Sequence, residues 1–285
     1  MTTPFFSQRT ACPTLAAGIL ATLLAASTHA QVQPQPDDAT RSPAPIDPTP
    51  APTDQLTVVL GTKFWVNRWS SWSVRPIASG NGTRQIIEPV GSDTRVSVIP
   101  QLSARYGDFM GSLSLMTTTN YSLERQWTAS NRGSRSEADA NLGYYLTPGL
   151  VATVGVKRME QNFGGKFTWT GPMLGLSATA SLTPKVASYF GVGLGAMRAK
   201  LGNPDGAGKT SLHSQYVLSE AGLAFPVGNL GLRPLRSGAV TVGYRSQTLT
   251  TKGYTLNDTN TPATQTTQDV RDSTQGFTLG LVAVF

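Results

Sequence analysis

Gly276-Phe277-Thr278-Leu279-Gly280-Leu281-Val282-Ala283-Val284-Phe285 is the stretch that decides the fold. In an extended strand successive side chains point to opposite faces. Phe277, Leu279, Leu281, Ala283 and Phe285 therefore share one face, and Thr278, Gly280, Val282 and Val284 the other. Working outward, the same period of two returns in segments of about ten residues. Leu56, Val58, Leu60, Phe64 and Val66 alternate with Thr57, Gly61, Lys63 and Asn67. Val96, Val98 and Leu102 alternate with Arg95, Ser97 and Gln101. Comparable segments surround Leu113, Leu142, Val154, Leu176, Leu194, Leu223 and Val242, which makes about ten strands in all.

Alternation of this kind fits a half-buried sheet of any sort. Charged residues are only 14% of the 285, where soluble domains carry about 25%. The polar faces are instead built from Ser, Thr, Asn, Gln and Gly. The fold expected is all-β: a transmembrane antiparallel up-and-down barrel with apolar residues toward lipid and polar ones toward the lumen. A last strand ending in Phe resembles the assembly signal of bacterial outer-membrane β-barrels, carried here by Phe277, Leu279, Leu281 and Phe285. That resemblance implies the bacterial outer membrane as location, and its lipid and the barrel-assembly machinery as partners.

Three segments are expected. Residues 1–30 read as a signal peptide: Arg9 is their only charge, Leu15–Ala26 is apolar, and Thr28-His29-Ala30 supplies a small-residue cleavage site. Residues 31–54 contain Pro34, Pro36, Pro43, Pro45, Pro48, Pro50 and Pro52 and read as an extended periplasmic linker. Residues 55–285 form the barrel. Cys12 precedes the cleavage site, so the mature chain holds no cysteine for a disulfide, a thiol nucleophile or a Cys-based metal site. Removing Arg9 with the leader lowers the net charge from +7 to +6.

Short turns at Arg105–Asp108, Thr147–Gly149 and Thr183–Lys185 alternate with longer joints at 67–93, 122–136, 161–166, 201–212 and 252–275. Short turns belong on the periplasmic side and long loops outside. Asn81-Gly82 marks a tight hairpin tip in the first long joint. Pro100 and Pro172 sit inside strands, where a closed barrel wants every N–H paired. A bulge or rim position is expected at each, and strand counts of eight and twelve stay open.

A barrel this narrow is largely filled by its own side chains. The lumen is expected to carry a charge network of Lys63, Arg95, Glu137, Asp139, Lys157, Glu220 and Arg245. Asp139 and Lys157 lie nine residues either side of Pro148, which sets them side by side; Glu220 and Arg245 are placed similarly. Two readings of the inward glycines 175, 191, 193 and 195 stay open: a small pore, or room for large side chains such as Tyr145 or Met173 opposite.

Trp65, Trp69, Trp72, Trp127, Trp169 and Tyr121 read as an aromatic girdle at the membrane interface. The outer loops carry many cations, among them Arg68, Arg75, Arg125, Arg132, Arg135, Arg158, Arg198 and Lys200. Lipopolysaccharide phosphates are their natural partners, with Arg68, Arg75, Arg125, Arg132 and Lys200 the leading contacts. Gly202–Thr210 (GNPDGAGKT) resembles a phosphate loop by letter but opens no helical pattern, so it reads as a solvated turn. His213, near Ser211, Ser214 and Asp205, is the only histidine after the leader. It matches no arrangement of base and orienting group that would make a nucleophile.

No catalytic residue, cofactor, metal site or nucleic-acid partner is expected, and the sequence does not address oligomeric state. The function expected is non-enzymatic: a structural, adhesion or envelope-integrity role exercised through the outer loops. A small diffusion channel is the first alternative and a rim enzyme acting on lipid or peptide the second.

Overall fold

The computed structural model describes residues 55–79, 82–124, 132–163, 165–227, 235–256 and 267–285, with side chains from 72 to 88 left aside. The leader, the proline linker, Asn81 and the side chains of Arg75, Trp72, Arg125 and Trp127 lie outside that description.

Ten antiparallel strands run in chain order: β1 Thr57–Ser79, β2 Gly82–Tyr106, β3 Phe109–Ser122, β4 Arg132–Thr147, β5 Leu150–Asn162, β6 Lys166–Thr183, β7 Val186–Leu201, β8 Ser211–Val227, β9 Ser237–Thr255 and β10 Thr267–Val284. Each pairs with its sequence neighbours, and β1 pairs with β10 from Val59↔Val284 to Trp72↔Arg271. The sheet is closed and has no free edge. Closure satisfies the backbone of both end strands, which a membrane interior demands.

The alternation is inverted relative to a soluble protein. Leu60, Val96, Leu113, Leu142, Val154, Leu174, Leu194, Val242, Phe277 and Leu281 are exposed on the outer wall. Charged and amide side chains are buried inside: Arg135, Glu137, Lys157, Glu220, Arg245 and Gln247. The last strand follows its pattern, with Phe277 67% exposed and Thr278 2%. A continuous apolar belt around a closed barrel is the pattern of a lipid-facing wall.

The two rims differ. At one, called here the turn end, Tyr106↔Phe109, Thr147↔Leu150 and Thr183↔Val186 each close a two-residue hairpin. Gly107, with φ of 57°, adopts the left-handed conformation such a turn needs. At the other, the loop end, strands continue well past the apolar belt. The joint at 67–93 is strand for most of its length: β1 and β2 stay paired out to Ser79↔Gly82.

Both strand prolines interrupt ladders. The continuous β2–β3 ladder stops at Gln101↔Ser114, beside Pro100. Above it β3 carries a register shift between Met116 and Thr119, and β2 one against Arg68 and Ser70 of β1. The β6–β7 ladder skips Gly171 and Pro172, between Thr170↔Arg198 and Met173↔Gly195.

Candidate functional site

The interior of the loop-end half is the most distinctive part of the molecule. Lys157 on β5 is directly opposite Asp139 on β4, and its ammonium donates to Asp139 Oδ1 at 2.9 Å. It also donates to Glu137 Oε2 at 2.6 Å. Arg135 Nε donates to Glu137 Oε1 at 2.8 Å, and Gln247 Nε2 donates to the same oxygen at 2.6 Å. Glu137 stands on β4 and Gln247 on β9, five strands apart in a ring of ten. The 2.6 Å bond therefore joins opposite walls.

A second bridge does the same nearer the loop end. Gln161 on β5 donates through Nε2 to Asp272 Oδ1 on β10 at 3.3 Å, again across five strands. Lower down, Lys63 on β1 donates to Glu220 on β8 at 2.5 Å, and Arg245 Nη1 donates to Glu220 at 3.3 Å. Buried charges are tolerable only when paired and hydrogen-bonded, and Arg135, Glu137, Lys157, Glu220 and Arg245 are.

Apolar side chains fill the space between the bridges. Met159, Trp169, Met173, Met197, Tyr216 and Leu249 form one interior cluster. Trp65, Ile99 and Met116 form another. Trp69, Val90, Tyr121, Leu123 and Phe163 close the loop end, with Trp69 and Phe163 ring centroids 4.0 Å apart. Three cations lie over inward rings: Arg245 over Trp65 at 5.2 Å, Lys157 over Tyr216 at 5.0 Å and, at the turn end, Arg105 over Tyr145 at 3.8 Å.

Several expectations need correction. Trp65, Trp69, Trp169 and Tyr121 are not a girdle: each is at most 1% exposed, inside the barrel. They share strand parity with Lys63, Asn67 and other inward residues, and Trp169 Nε1 donates to Thr251 Oγ1 at 3.1 Å across the lumen. The outward aromatics are instead Tyr106, Phe109 and Tyr144 at the turn end, and Tyr244 with Phe277 higher up. Arg95 is not part of the lumen network. It stands opposite Asn67 but above the end of the β2–β3 ladder, where its side chain is 44% exposed at the loop end, paired with Asp93 and donating to Ser122. Arg135 is not a loop cation but a buried member of the network.

The glycines divide. Met173 lies against Gly193 and Gly195, and the Tyr189 hydroxyl sits where side chains on Gly222 and Gly243 would be. Gly191 faces open space instead. It lines a cavity of about 340 Å³ toward the turn end, with Lys63, Glu220, Tyr189, Ser177 and Thr179.

The decoy motifs resolve as well. Asp205 is buried and accepts from the backbone N–H groups of Ala207, Lys209 and Thr255, at 3.0, 2.8 and 3.1 Å. The 202–210 loop is thus stapled to the end of β9 rather than simply solvated, and amides a phosphate would need are already donating. His213 points outward opposite Arg198, whereas Ser214 points inward to Thr251 at 2.8 Å. Ser211 accepts from Arg198 at 3.0 Å. The structure does not gather these groups. Among the described residues no cluster of three or more His, Cys, Asp or Glu side chains could hold a metal.

Arg68 pairs with Glu124 at the loop end, and Arg132 and Lys200 are exposed there. The outer wall of β5–β8 carries a basic row just beyond the apolar belt. Arg158↔Thr170, Thr170↔Arg198 and Arg198↔His213 are successive register pairs, all facing outward. Lys200 is two residues beyond Arg198, and Lys166 and Arg158 flank the one nearby acid, Glu160.

A closed sheet, an apolar outer belt and a charged interior define an outer-membrane-type β-barrel. No family model matches the chain, and no curated protein sequence matches it. Among solved structures it is similar to the outer membrane protease OmpT from Escherichia coli, at 12% identity and a TM-score of 0.46, covering 80% of this chain and 97% of that one. It is also similar to the P. putida toluene transporter TodX, at 11% identity and a TM-score of 0.27, covering 82% and 90%. A Pseudomonas aeruginosa FadL homologue gives 7% identity and a TM-score of 0.29, covering 81% and 90%.

Proposed function

We propose that this protein is a non-enzymatic outer-membrane barrel whose lumen is closed to diffusion and which works through its outer wall and loop end, in envelope integrity or adhesion. The observation that carries the reading is the Gln247–Glu137 bond joining opposite walls. A solute path would have to break that bond, the Gln161–Asp272 bridge beyond it and the ion pairs around Glu137.

The partner of the outer wall is the phosphate-bearing lipopolysaccharide leaflet. Arg158, Arg198, Lys200 and Lys166 present charge where lipid headgroups would lie, above the belt residues Val156 and Leu194. Arg68 and Arg132 extend the positive rim. Arginine forks suit phosphate bidentately.

The test is binding of lipopolysaccharide to the refolded 31–285 chain, against the Arg158→Ser/Arg198→Ser/Lys200→Ser variant and a neutral surfactant. Weaker binding by the variant, with a shallower salt dependence, is expected. Equal binding by both proteins, or equal retention of the neutral surfactant, would overturn the partner assignment.

A small channel is the second reading. It draws on the cavity of about 340 Å³ beside Gly191, which opens half of a path.

A further inference from the structure

The loop end holds one more built feature. Phe163, Phe167, Trp169 and Tyr254 wall a small cup, with Asp272, Gln161, Ser71, Thr251 and Val270 completing it. Phe167 and Trp169 are stacked, with centroids 5.5 Å apart and planes 13° from parallel. The cup leaves about 20 Å³ for the centre of a water-sized group. That is enough for a head group about the size of one water.

Three observations say what kind. Asp272 is buried, and among the described residues no cation lies within ion-pair distance of it. Arg135, the guanidinium acting on it from β4, already donates to Glu137, Thr274 and Met159. Second, Gln161, which lines the cup, is 6% exposed and turns its Nε2 to Asp272, while its Oε1 is buried with no hydrogen-bond partner among the described residues. A buried acceptor left this way costs about 1–3 kcal/mol, so it calls for a donor. Third, the remaining walls are aromatic faces, which attract cations and hold organic ones better than strongly hydrated ones.

A carboxylate, an amide oxygen without a donor and stacked rings around a water-sized space all ask for the same group. It must be positive, carry several N–H donors and be small. We infer that this cup is a binding site for the primary ammonium head of a small amine, held by Asp272 and Gln161 against Phe167 and Trp169. The head donates one hydrogen to Asp272 and one to Gln161 Oε1, and its alkyl substituent lies along the rings. A quaternary ammonium has no N–H to donate and exceeds the space. Potassium supplies charge without donors.

The test uses the refolded 31–285 chain in detergent micelles, titrated with methylammonium, tetramethylammonium and potassium chloride at constant ionic strength. Binding is read by calorimetry and by tryptophan emission. Saturable methylammonium binding is expected, at least tenfold tighter than that of the other two cations. Asp272→Asn preserves the shape and the Gln161 contact and is expected to weaken methylammonium at least tenfold. Phe167→Leu, which removes one ring of the stack, is expected to weaken it several-fold. It serves as the second variant if Asp272→Asn does not fold. Glu160→Gln, an exposed carboxylate outside the cup, is expected to change nothing. Absence of saturation in the wild type, equal binding of potassium, or full affinity in both cup variants would each overturn the assignment.

Discussion

Glu137→Met is the most informative single change in the barrel. Glu137 accepts from Arg135, Lys157 and Gln247, at 2.8, 2.6 and 2.6 Å. All four side chains are buried, and the Glu137 and Lys157 side chains are 2% and 1% exposed. Methionine has a similar length and fills the space, so the change removes charge rather than volume. It leaves Arg135 without a carboxylate partner and Lys157 with Asp139 alone. Breaking a buried pair by removing one member costs about 3–5 kcal/mol, because an uncompensated charge remains. At 1.36 kcal/mol per power of ten, that lowers the folding constant by roughly two to four powers of ten. The double change Glu137→Met/Arg135→Met removes one charge of each sign and leaves Lys157 paired with Asp139. Replacing a buried ionic group by apolar residues of like volume is often neutral or stabilising, so the double variant should be more stable than the single one. The assay is guanidinium unfolding of the barrel refolded into phospholipid micelles, followed by tryptophan emission. A single variant within about 1 kcal/mol of wild type would refute the reasoning, since it would lie well below the cost of breaking a buried pair. So would a double variant less stable than the single.

Three further outcomes are expected. A Cβ on Gly133 would lie 1.4 Å from the Phe163 ring, so Gly133→Ala should expel Phe163 from Trp69 and Tyr121. Overpacking of this kind costs about 1–3 kcal/mol, and an unaltered near-ultraviolet circular dichroism spectrum would contradict it. In the Trp72→Phe/Trp127→Phe variant only Trp65, Trp69 and Trp169 remain, all buried in the lumen. Its emission should resist both aqueous acrylamide and brominated lipid, whereas strong quenching by brominated lipid would restore the girdle. Asp269 at the loop end accepts from Lys252 at 2.6 Å and from the Gly253 amide, which hold its carboxyl below the ordinary aspartate value of about 3.9. A depressed folded pKa means the contact persists at neutral pH and is lost as pH falls through that lowered value. A carboxyl-carbon NMR titration should show this midpoint, and Lys252→Met should raise it.

The architecture was legible because lipid enforces it. Outward residues such as Leu142, Val154 and Phe277 must be apolar, so alternation appears wherever a strand crosses the belt. It is not readable in β1 and β2 beyond Ser71, and there strand reads as loop. The Asp139–Lys157 pair was readable from its symmetry about Pro148, because hairpin register is local. Arg135 shares parity with Glu137 and Asp139, so its inward aim was available in the sequence; ending the strand at Ser136 concealed it. The tryptophans also carried their parity, since Trp65 lies between the outward Phe64 and Val66. A general association of tryptophan with membrane interfaces outweighed it. Arg95 misled in the opposite way: its parity is inward, opposite Asn67, but the β2–β3 ladder ends below it at Gln101, and where a ladder ends leaves no mark in the sequence. The Gln247–Glu137 and Gln161–Asp272 bridges could not be read at all. Contact across a barrel depends on strand tilt and shear, which belong to the closed sheet rather than to any one segment.

The proposed function requires a lumen shut by the bonds between opposite walls. Conductance of the refolded 31–285 chain in a planar bilayer tests it most directly. A folded, inserted barrel that gives no steady current steps is the predicted result, with Glu137→Met the variant most able to introduce them. Steady, ion-selective steps in the wild type, altered in selectivity by charge reversal at Lys63 or Glu220, would contradict it.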